Sequence, residues 1–525
     1  MKKMMKQAPR TLKNSEEFSG FRAFLWPIYS FEIKKFVPMG IMLFFILFNY
    51  TVLRNTKDSI IINAPGSNAE ALSFMKLYGT MPMALLFLIV YAKLTNHWSR
   101  EKLFYGITLS FLAFFAAFAT VIYPNRLLLH WSEDTIKTLQ VSYPYLKWII
   151  AILGNWSYGL FYIFSELWGS IMISLLFWQF ANEITRVSEA RRFYGLFGLI
   201  GEGGVVLAGY VVYYFSHNRN KFASPIDAWG ITLNYLIGFI VVAGLIIMGV
   251  YWWMTRYVVS DPQLCPNHIP NKENGQQPKL SLSDSFKYLL NSPYLLMIAI
   301  IVLAYGASIN LVEGIWKSQI KICYPNENDY NAFMGQFSLV NGSLTLLFMI
   351  IGNNILRRFS WLTAALITPV MLLVTSLIFF GFIIYNTQQS GSILPGSTVT
   401  MVVVMIGFIQ NVFTKSTKYS LFDSTKEMTY IPLDQELKTK GKAVVDVIGS
   451  RLGKSSGAFI QTLLFTLFMN ATFMTLTPIF AIIVISIVIS WIIALTKLNK
   501  YFSRLNRAHT QPTEEFVDQK VCSVG

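Results

Sequence analysis

Charged side chains sit inside segments that otherwise read as lipid-spanning. Arg54, Lys57 and Asp58 close one apolar run, and Glu166 interrupts FYIFSELWGSIMISLLFW. Glu202 lies in GLIGEGGVVLAG, Glu313 follows IVLAYGASINLV, and Arg451 and Lys454 fall within VVDVIGSRLGKSSGAFI. An ionised group at the bilayer centre costs at least about 2.5–3.5 kcal/mol. A bundle of apolar helices could be built without these residues. Their presence predicts a polar space between helices, lined with both signs, suited to a solute that is itself strongly charged.

The class follows from hydropathy. Of 525 residues 54% are hydrophobic and only 13% charged, and mean hydropathy is +0.47. The apolar runs are near-continuous and lack the period-2 alternation of a membrane β-barrel, so helices satisfy the backbone in lipid. The fold class predicted is an all-α polytopic membrane protein. Spans are predicted at about 37–62, 71–95, 103–123, 148–182, 190–215 and 229–255, then 290–316, 333–356, 360–385, 399–423, 441–469 and 473–496. That makes twelve transmembrane helices.

The organisation predicted is a cytoplasmic tail and interfacial helix over 1–36, then a six-helix half over 37–255. A Pro- and Asn-bearing linker over 256–287 leads to a second half over 288–496 and a tail over 497–525. No cleavable signal peptide is expected, because the first residues are polar and basic. Lys and Arg gather on the side that holds the tails, the linker and the loops WSREK, TRVSEARR and RRFSW. That asymmetry predicts cytoplasmic termini. The net charge of +16 is spent flanking spans, so nucleic acid is not an expected partner. A weak internal repeat aligns FNYTVLRNTKDSI with LAYGASINLVEGI, which supports six plus six helices on the major-facilitator plan, with substrate between the halves.

Tyr158, Tyr162 and Glu166 follow i, i+4, i+8 and share a helix face. Two rings beside a carboxylate are placed to stack a planar base, so Tyr158, Tyr162 and Glu166 are candidate substrate contacts; packing is the commoner role for the tyrosines alone, whereas a carboxylate buried in a bundle calls for a partner. Arg54 and Asp58 are i, i+4, so an internal ion pair at a span end is one reading and substrate contact another. Lys317, one turn beyond Glu313, is placed to neutralise it. Lys415 and Lys418 read better as the cytoplasmic edge of the tenth span than as substrate contacts. GSRLGKSSG (449–457) is not a phosphate loop: its glycine spacing is one short and no strand precedes it. Arg451 and Lys454 within it still offer two cations to oligophosphate oxygens. No Cys/His pattern suggests a metal, and no nucleophile–base arrangement suggests hydrolysis. A transporter is expected, not an enzyme, with no cofactor or metal and as a monomer.

The segments NYTVLRNTKDSIIINAPGSNAEALSFMKL, FSELWGSIMISLLFWQFANEITRVSEARRFYGLFG, NLVEGIWKSQIK and KYSLFDSTKEMTYIPLDQELKTKGKAVVDVIGSRLGKSSGA resemble the bacterial and plastid-type ATP/ADP translocases. The similarity runs from about residue 20 to 500. It implies a secondary transporter of nucleotides in the bacterial inner membrane, exchanging host ATP for ADP. It also implies that the functional charges are Lys57, Glu166, Glu313 and Lys454. Where that family reads Ala-Asn after FGL, this chain reads Gly201-Glu202. Glu202 is therefore either a proton carrier, which would suit a proton-coupled nucleoside triphosphate importer, or a latch to Lys454. Protons or phosphate as co-ions stay open at this point, as does a nucleotide sensor or membrane enzyme of another class.

Overall fold

A computed structural model describes residues 26–219, 227–261, 264, 292–388, 396–433, 445, 450–468 and 470–510. Twelve helices organise them. The first six are α1 (Ile33–Asn63), α2 (Ala71–His97), α3 (Arg100–Ile122), α4 (Trp156–Ile184), α5 (Val187–His217) and α6 (Ala228–Tyr257). The second six are α7 (Pro293–Cys323), α8 (Glu327–Arg358), α9 (Trp361–Gln388), α10 (Thr398–Thr429), α11 (Ser450–Leu467) and α12 (Thr477–Thr510). Eleven of them are long and apolar enough to cross a membrane; α11 is shorter, with its apolar part over Ser455–Leu467. This is an all-helical, multi-pass membrane protein.

The packing repeats itself. Helix α1 packs on α4, α5 and α6, and α7 packs in the same way on α10, α11 and α12. Likewise α3 packs on α6 as α9 does on α12, and α2 on α4 as α8 does on α10. The halves meet along α5–α8 and α2–α11. This is the pseudo-symmetric six-plus-six arrangement of the major-facilitator fold.

Small residues make the inter-half seam possible. A Cβ on Gly209 of α5 would stand 2.8 Å from the carbonyl oxygen of Gly335 on α8, and one on Gly335 would stand 3.0 Å from that of Gly209. Only glycines let the two backbones come so close. At the α7–α11 crossing, a Cβ on Gly306 would lie 2.7 Å from the carbonyl carbon of Gly453.

One end of the bundle is closed. The start of α1, the end of α12 and the α4–α5 turn mark one face; the α1–α2 and α7–α8 turns mark the other. Towards that second face Ser59 Oγ donates to Glu327 O (2.8 Å), Asn55 Nδ2 to Ser338 Oγ (2.9 Å), Asn331 Nδ2 to Ser216 Oγ (3.0 Å), and Phe473 N to Glu70 Oε1 (3.0 Å). Arg219 pairs with Asp329 at 2.6 Å, and Lys321 bonds Asn63. Among the described residues, hydrogen bonds and ion pairs between helices of the two halves lie at the level of Asn55 or beyond it towards this face.

Several elements depart from the sequence reading. The fourth span was expected from 148, but Asn155 leaves the helical region (φ −113°, ψ 42°) and separates a short helix, Lys147–Gly154, from α4. Its Nδ2 donates to Pro65 O at 3.0 Å and Ala151 O at 2.8 Å, which fixes the break. Over the described part of 1–36, where an interfacial helix was expected, Trp26–Tyr29 is non-helical, Ser30–Glu32 is a single 3-10 turn, and α1 has already begun at Ile33. Helix α10 runs on to Thr429 through a π-helical turn at Lys418–Phe422.

The glycine seam is directly testable. Gly335→Val forces a branched side chain into the α5 backbone, and overpacking of this kind costs about 1–3 kcal/mol. A lower melting temperature of the purified protein is expected, together with a longer spin-label distance between α5 and α8 at the closed face.

Candidate functional site

The intramembrane charges form one chain of alternating sign. Glu166 of α4 meets Lys57 of α1 at 2.9 Å, and Lys57 meets Asp58 at 2.6 Å. Asp58 reaches across to Lys317 of α7 at 2.8 Å. Lys317 meets Glu313 at 3.0 Å, and Glu313 meets Lys415 of α10 at 3.3 Å. The first half thus contributes minus, plus, minus and the second half plus, minus, plus. Each charge has an opposite neighbour, which offsets much of the cost of taking it out of water.

Depth varies along the chain. The side chains of Lys57, Asp58 and Lys317 are 1–5% exposed, whereas that of Glu166 is 20% and that of Glu313 13% exposed. The middle is sealed between the halves, while carboxylates on either side still reach accessible space. Aromatic rings wall the lysines. Lys57 Nζ lies 3.9 Å from the Tyr162 ring centroid, and Lys415 Nζ lies 4.8 Å from that of Phe337. Such ring faces favour a cation without competing for it as a carboxylate does.

Local structure aims these groups. Trp316 Nε1 donates to Val404 O at 2.9 Å, with its ring lying against Gly407, so α7 and α10 are locked beside Lys317. Three spans that bear the site carry π-helical turns: Met75–Thr80 in α2, Gly169–Phe177 in α4 and Lys418–Phe422 in α10. Such turns widen the helix and recur at functional sites. The segment Ser450–Leu467 is helical, so the amides of its interior are committed to helix bonds rather than to a phosphate cradle.

Lys57, Asp58, Glu166, Glu313 and Tyr162 are brought together as one group. Tyr158 is not with them. It sits two turns away, near the start of α4, where its ring meets His130 at 4.5 Å and Tyr123 at 6.1 Å. The Arg54–Asp58 ion pair, one of the two readings of that spacing, is absent among the described residues; Asp58 takes lysines instead. The guanidinium of Arg54 still feels Glu313, Tyr50, Tyr419 and Asp58, and its Nε has no hydrogen-bond partner. Glu202 is 7% exposed, its Oε2 has no hydrogen-bond partner, and the charges bearing on it are Lys418 and Arg54. The side chains of Arg451 and Lys454 lie outside the described residues. Two groups were undervalued in the sequence. Lys415, read as an edge residue, is buried and closes the chain, and Lys76 of α2 donates to Asn310 Oδ1 of α7 at 2.8 Å.

The model of the TLC ATP/ADP transporter family matches residues 11–502. The chain belongs to that family. It is 47% identical over 495 residues to ADP,ATP carrier protein 1 of Chlamydia pneumoniae, covering 94% of this chain and 96% of the relative. It is 45% identical to ADP,ATP carrier protein 1 of Rickettsia bellii (94% and 98% covered) and 43% identical to ADP,ATP carrier protein 3 of the same organism (93% and 98%). Among solved structures it resembles a bacterial homologue of the iron transporter ferroportin in an inward-facing state (TM-score 0.53, 12% identity, 90% and 99% covered). The nucleoside transporter NupG is similar at TM-score 0.51 and 13% identity (88% and 99%). Likenesses at this identity speak for the fold alone.

The chain of charges makes a stability prediction. Lys317→Met strands Asp58 and Glu313 beside fewer cations, and breaking a buried pair in this way costs about 3–5 kcal/mol. Adding Asp58→Asn is expected to recover part of that loss, read as coupling in a double-mutant cycle of thermal unfolding. Strict additivity would mean the two residues do not interact.

A second prediction concerns the Tyr158 cluster, which lies at the closed end. His130 Nε2 lies 2.6 Å from Ser157 Oγ. Burial, then the nearby Arg126 charge, lowers its pKa from 6.5 to about 4. The opened segment therefore binds a proton more readily than the packed one, and stability here is lost as pH falls from 6.5 towards 4. Hydrogen exchange of residues around 123–132 is expected to quicken over that window, with His130→Gln flattening the response.

Proposed function

We propose that the protein exchanges nucleotides, ATP against ADP, across a membrane by alternating access, and that the charge chain between its halves is where the phosphates are read. The carrying observation is the alternating run Glu166–Lys57–Asp58–Lys317–Glu313–Lys415 in a member of a transporter family. Relatives alike over nearly their full length are named ADP,ATP carriers. Lys57, Glu166, Glu313, Arg54, Asp58 and Tyr162 are the proposed contacts, with Arg451 and Lys454 from α11. Tyr158 is a packing residue in this reading.

Obligate exchange follows from where the chain crosses between the halves. Opening the closed face parts α1 from α7, and so Asp58 from Lys317. Without ligand this leaves each half with an unbalanced triplet, Asp58 sharing Lys57 with Glu166 and Lys317 sharing Glu313 with Lys415, and the lost crossing contact slows the empty transition. A bound polyphosphate removes the penalty. It offers Lys317 a new anion, while Asp58 keeps Lys57 and Glu313 keeps Lys415. The loaded protein can reorient and the empty one resists.

In this reading both termini are cytoplasmic, the membrane is the bacterial inner membrane, and the closed face makes this the inward-facing state. The moving bodies are residues 37–255 and 288–496, joined by 256–287, and the protein acts as a monomer without hydrolysing its substrate. Trading ATP⁴⁻ for ADP³⁻ moves one charge, worth about 2.3 kcal/mol per 100 mV. Proton-coupled import through Glu202 is set aside: the relatives alike over nearly their full length are named ADP,ATP carriers, and Glu202 stands off the chain.

Labelled ATP, GTP, CTP and UTP uptake into proteoliposomes tests this, with vesicles preloaded with ADP or empty, and with or without a pH gradient. ATP uptake is expected only with internal ADP. Uptake into empty vesicles driven by protons would overturn the exchange reading. The double substitution Asp58→Asn with Lys317→Gln removes the crossing pair without stranding a charge, so uptake into empty vesicles is expected to rise at least roughly tenfold over the unaltered protein.

A further inference from the structure

Glu70 is a buried carboxyl group set between the halves. It ends the α1–α2 turn of the first half, is 1% exposed, and accepts from Phe473 N at 3.0 Å through Oε1. Phe473 belongs to the second half. It lies in the α11–α12 turn, its ring meets Phe465 at 4.9 Å and Phe480 at 5.7 Å, and it rests against Gly314 of α7. The other oxygen of Glu70, Oε2, has no hydrogen-bond partner, and among the described residues Glu70 makes no ion pair. Four elements surround it: α1, the helix Lys147–Gly154, α11 and the turn that carries Phe473. The turn has no titratable residue. On α1 the nearest in sequence is Asp58, which is held by Lys57 and Lys317, and Arg451 and Lys454 belong to the other end of α11. Lys147 is the charge that bears on Glu70.

We infer that Glu70 is a proton-binding site of the gate at the closed face: it takes up a proton from the solution on that side as the halves close over it and returns it when they part. An ionised carboxylate with one oxygen unpartnered is costly to seal between helices, and the neutral acid is much less so. Oε2 is the oxygen free to carry the proton, while Oε1 keeps its bond from Phe473 N. Burial pushes the Glu70 carboxyl above its usual 4.5, outweighing the backbone amides and the Lys147 charge that favour the ionised form. In the parted state Glu70 meets water and returns to the ordinary value. The closed face therefore binds the proton more tightly than the open one, and acid favours closure. That bias is complete below about 4.5 and is lost as pH rises through the raised closed-state value, by up to about tenfold in the open-to-closed ratio per pH unit. The proton enters and leaves on the same side, so it tunes the gate without being carried across, whichever solute is. His130 at this face answers acid in the opposite sense, so Glu70 has to be read by difference.

Two measurements on the purified full-length protein test this. Infrared difference spectra between the unaltered protein and Glu70→Gln are expected to show a protonated-carboxyl band that disappears on raising the pH, with a midpoint above 4.5. Nitroxide labels at the exposed Thr138 and Thr475, one on each half at this face, report opening once Cys265, Cys323 and Cys522 are replaced. Asp58→Asn with Lys317→Gln in the labelled proteins removes the crossing ion pair, so that both states are populated. From about pH 4.5 to about pH 8 the open-to-closed ratio is expected to rise at least about threefold more with glutamate at 70 than with glutamine, which keeps an oxygen for Phe473 N but does not titrate. Lys147→Met removes the cation that favours the ionised form and is expected to move the infrared midpoint upward. This variant decides alone should Glu70→Gln not fold. A Glu70 carboxyl ionised already at pH 4.5, an equal pH response of the labelled pair with glutamate and glutamine, or an unmoved midpoint in Lys147→Met would each overturn the inference.

Discussion

The pair between Asp58 and Lys317 is the contact on which the rest depends. It is the one link of the charge chain that joins the two halves. The links on either side are internal to a half: Glu166–Lys57–Asp58 in the first and Lys317–Glu313–Lys415 in the second. Each half alone carries an unbalanced triplet, net negative in the first and net positive in the second. Brought together they neutralise one another. The halves are electrostatically complementary at the level where a major-facilitator-like protein places its substrate. Separating them without a substitute leaves two triplets of opposite net charge, each deprived of the neighbour that balanced it.

The glycine seams and the charge chain solve different parts of one problem. Gly209 against Gly335 brings two helices to backbone contact with no side chains interlocked at that crossing, so they can part there without repacking. Hydrogen bonds such as Asn55–Ser338 and Asn331–Ser216 add specificity. Bonds between neutral groups contribute only about 1 kcal/mol each, less than a stranded charge costs. The state of the seam is thus governed by whether its buried ions have partners, and a polyanion can alter that directly.

Much of this could be read from the sequence, because the cost of burying charge is a strong filter. Lys57, Asp58, Glu166 and Glu313 stood out as charges that a lipid-facing helix would not keep, and they lie together. The cost identifies buried charges but not their partners, so the Asp58–Lys317 contact needed the fold. Lys415 was misplaced for a specific reason. The tenth span was expected to end near 423, which put this lysine close to an edge, but α10 continues through a π-helical turn to Thr429 and carries Lys415 inward. Tyr158 shows the opposite error. Its i, i−4, i−8 spacing from Glu166 gives the right face, yet α4 starts only at Trp156, and eight residues of helix rise about 12 Å. Shared face is not shared depth. Lys76 left no trace, since a lysine near a span end usually reaches for water.

A site for a polyanion must also let it go. Were every cation in the seam free, binding would be tight and release slow; were every one paired, binding would have to break an ion pair at each contact. The cations here are graded. Lys57 has two carboxylate partners, Lys317 has two, Lys415 has one, and Lys76 has an amide. In the proposed exchange a phosphate engages the less committed ammonium groups first and draws on the more committed ones only as the halves move. The carboxylates stay in reach to reclaim their lysines once it leaves. Such a grading gives affinity in the occluded state and a route out of it. The chain of six ion-paired charges is itself balanced when empty, which in the proposed exchange holds the seam in one conformation until the next nucleotide arrives.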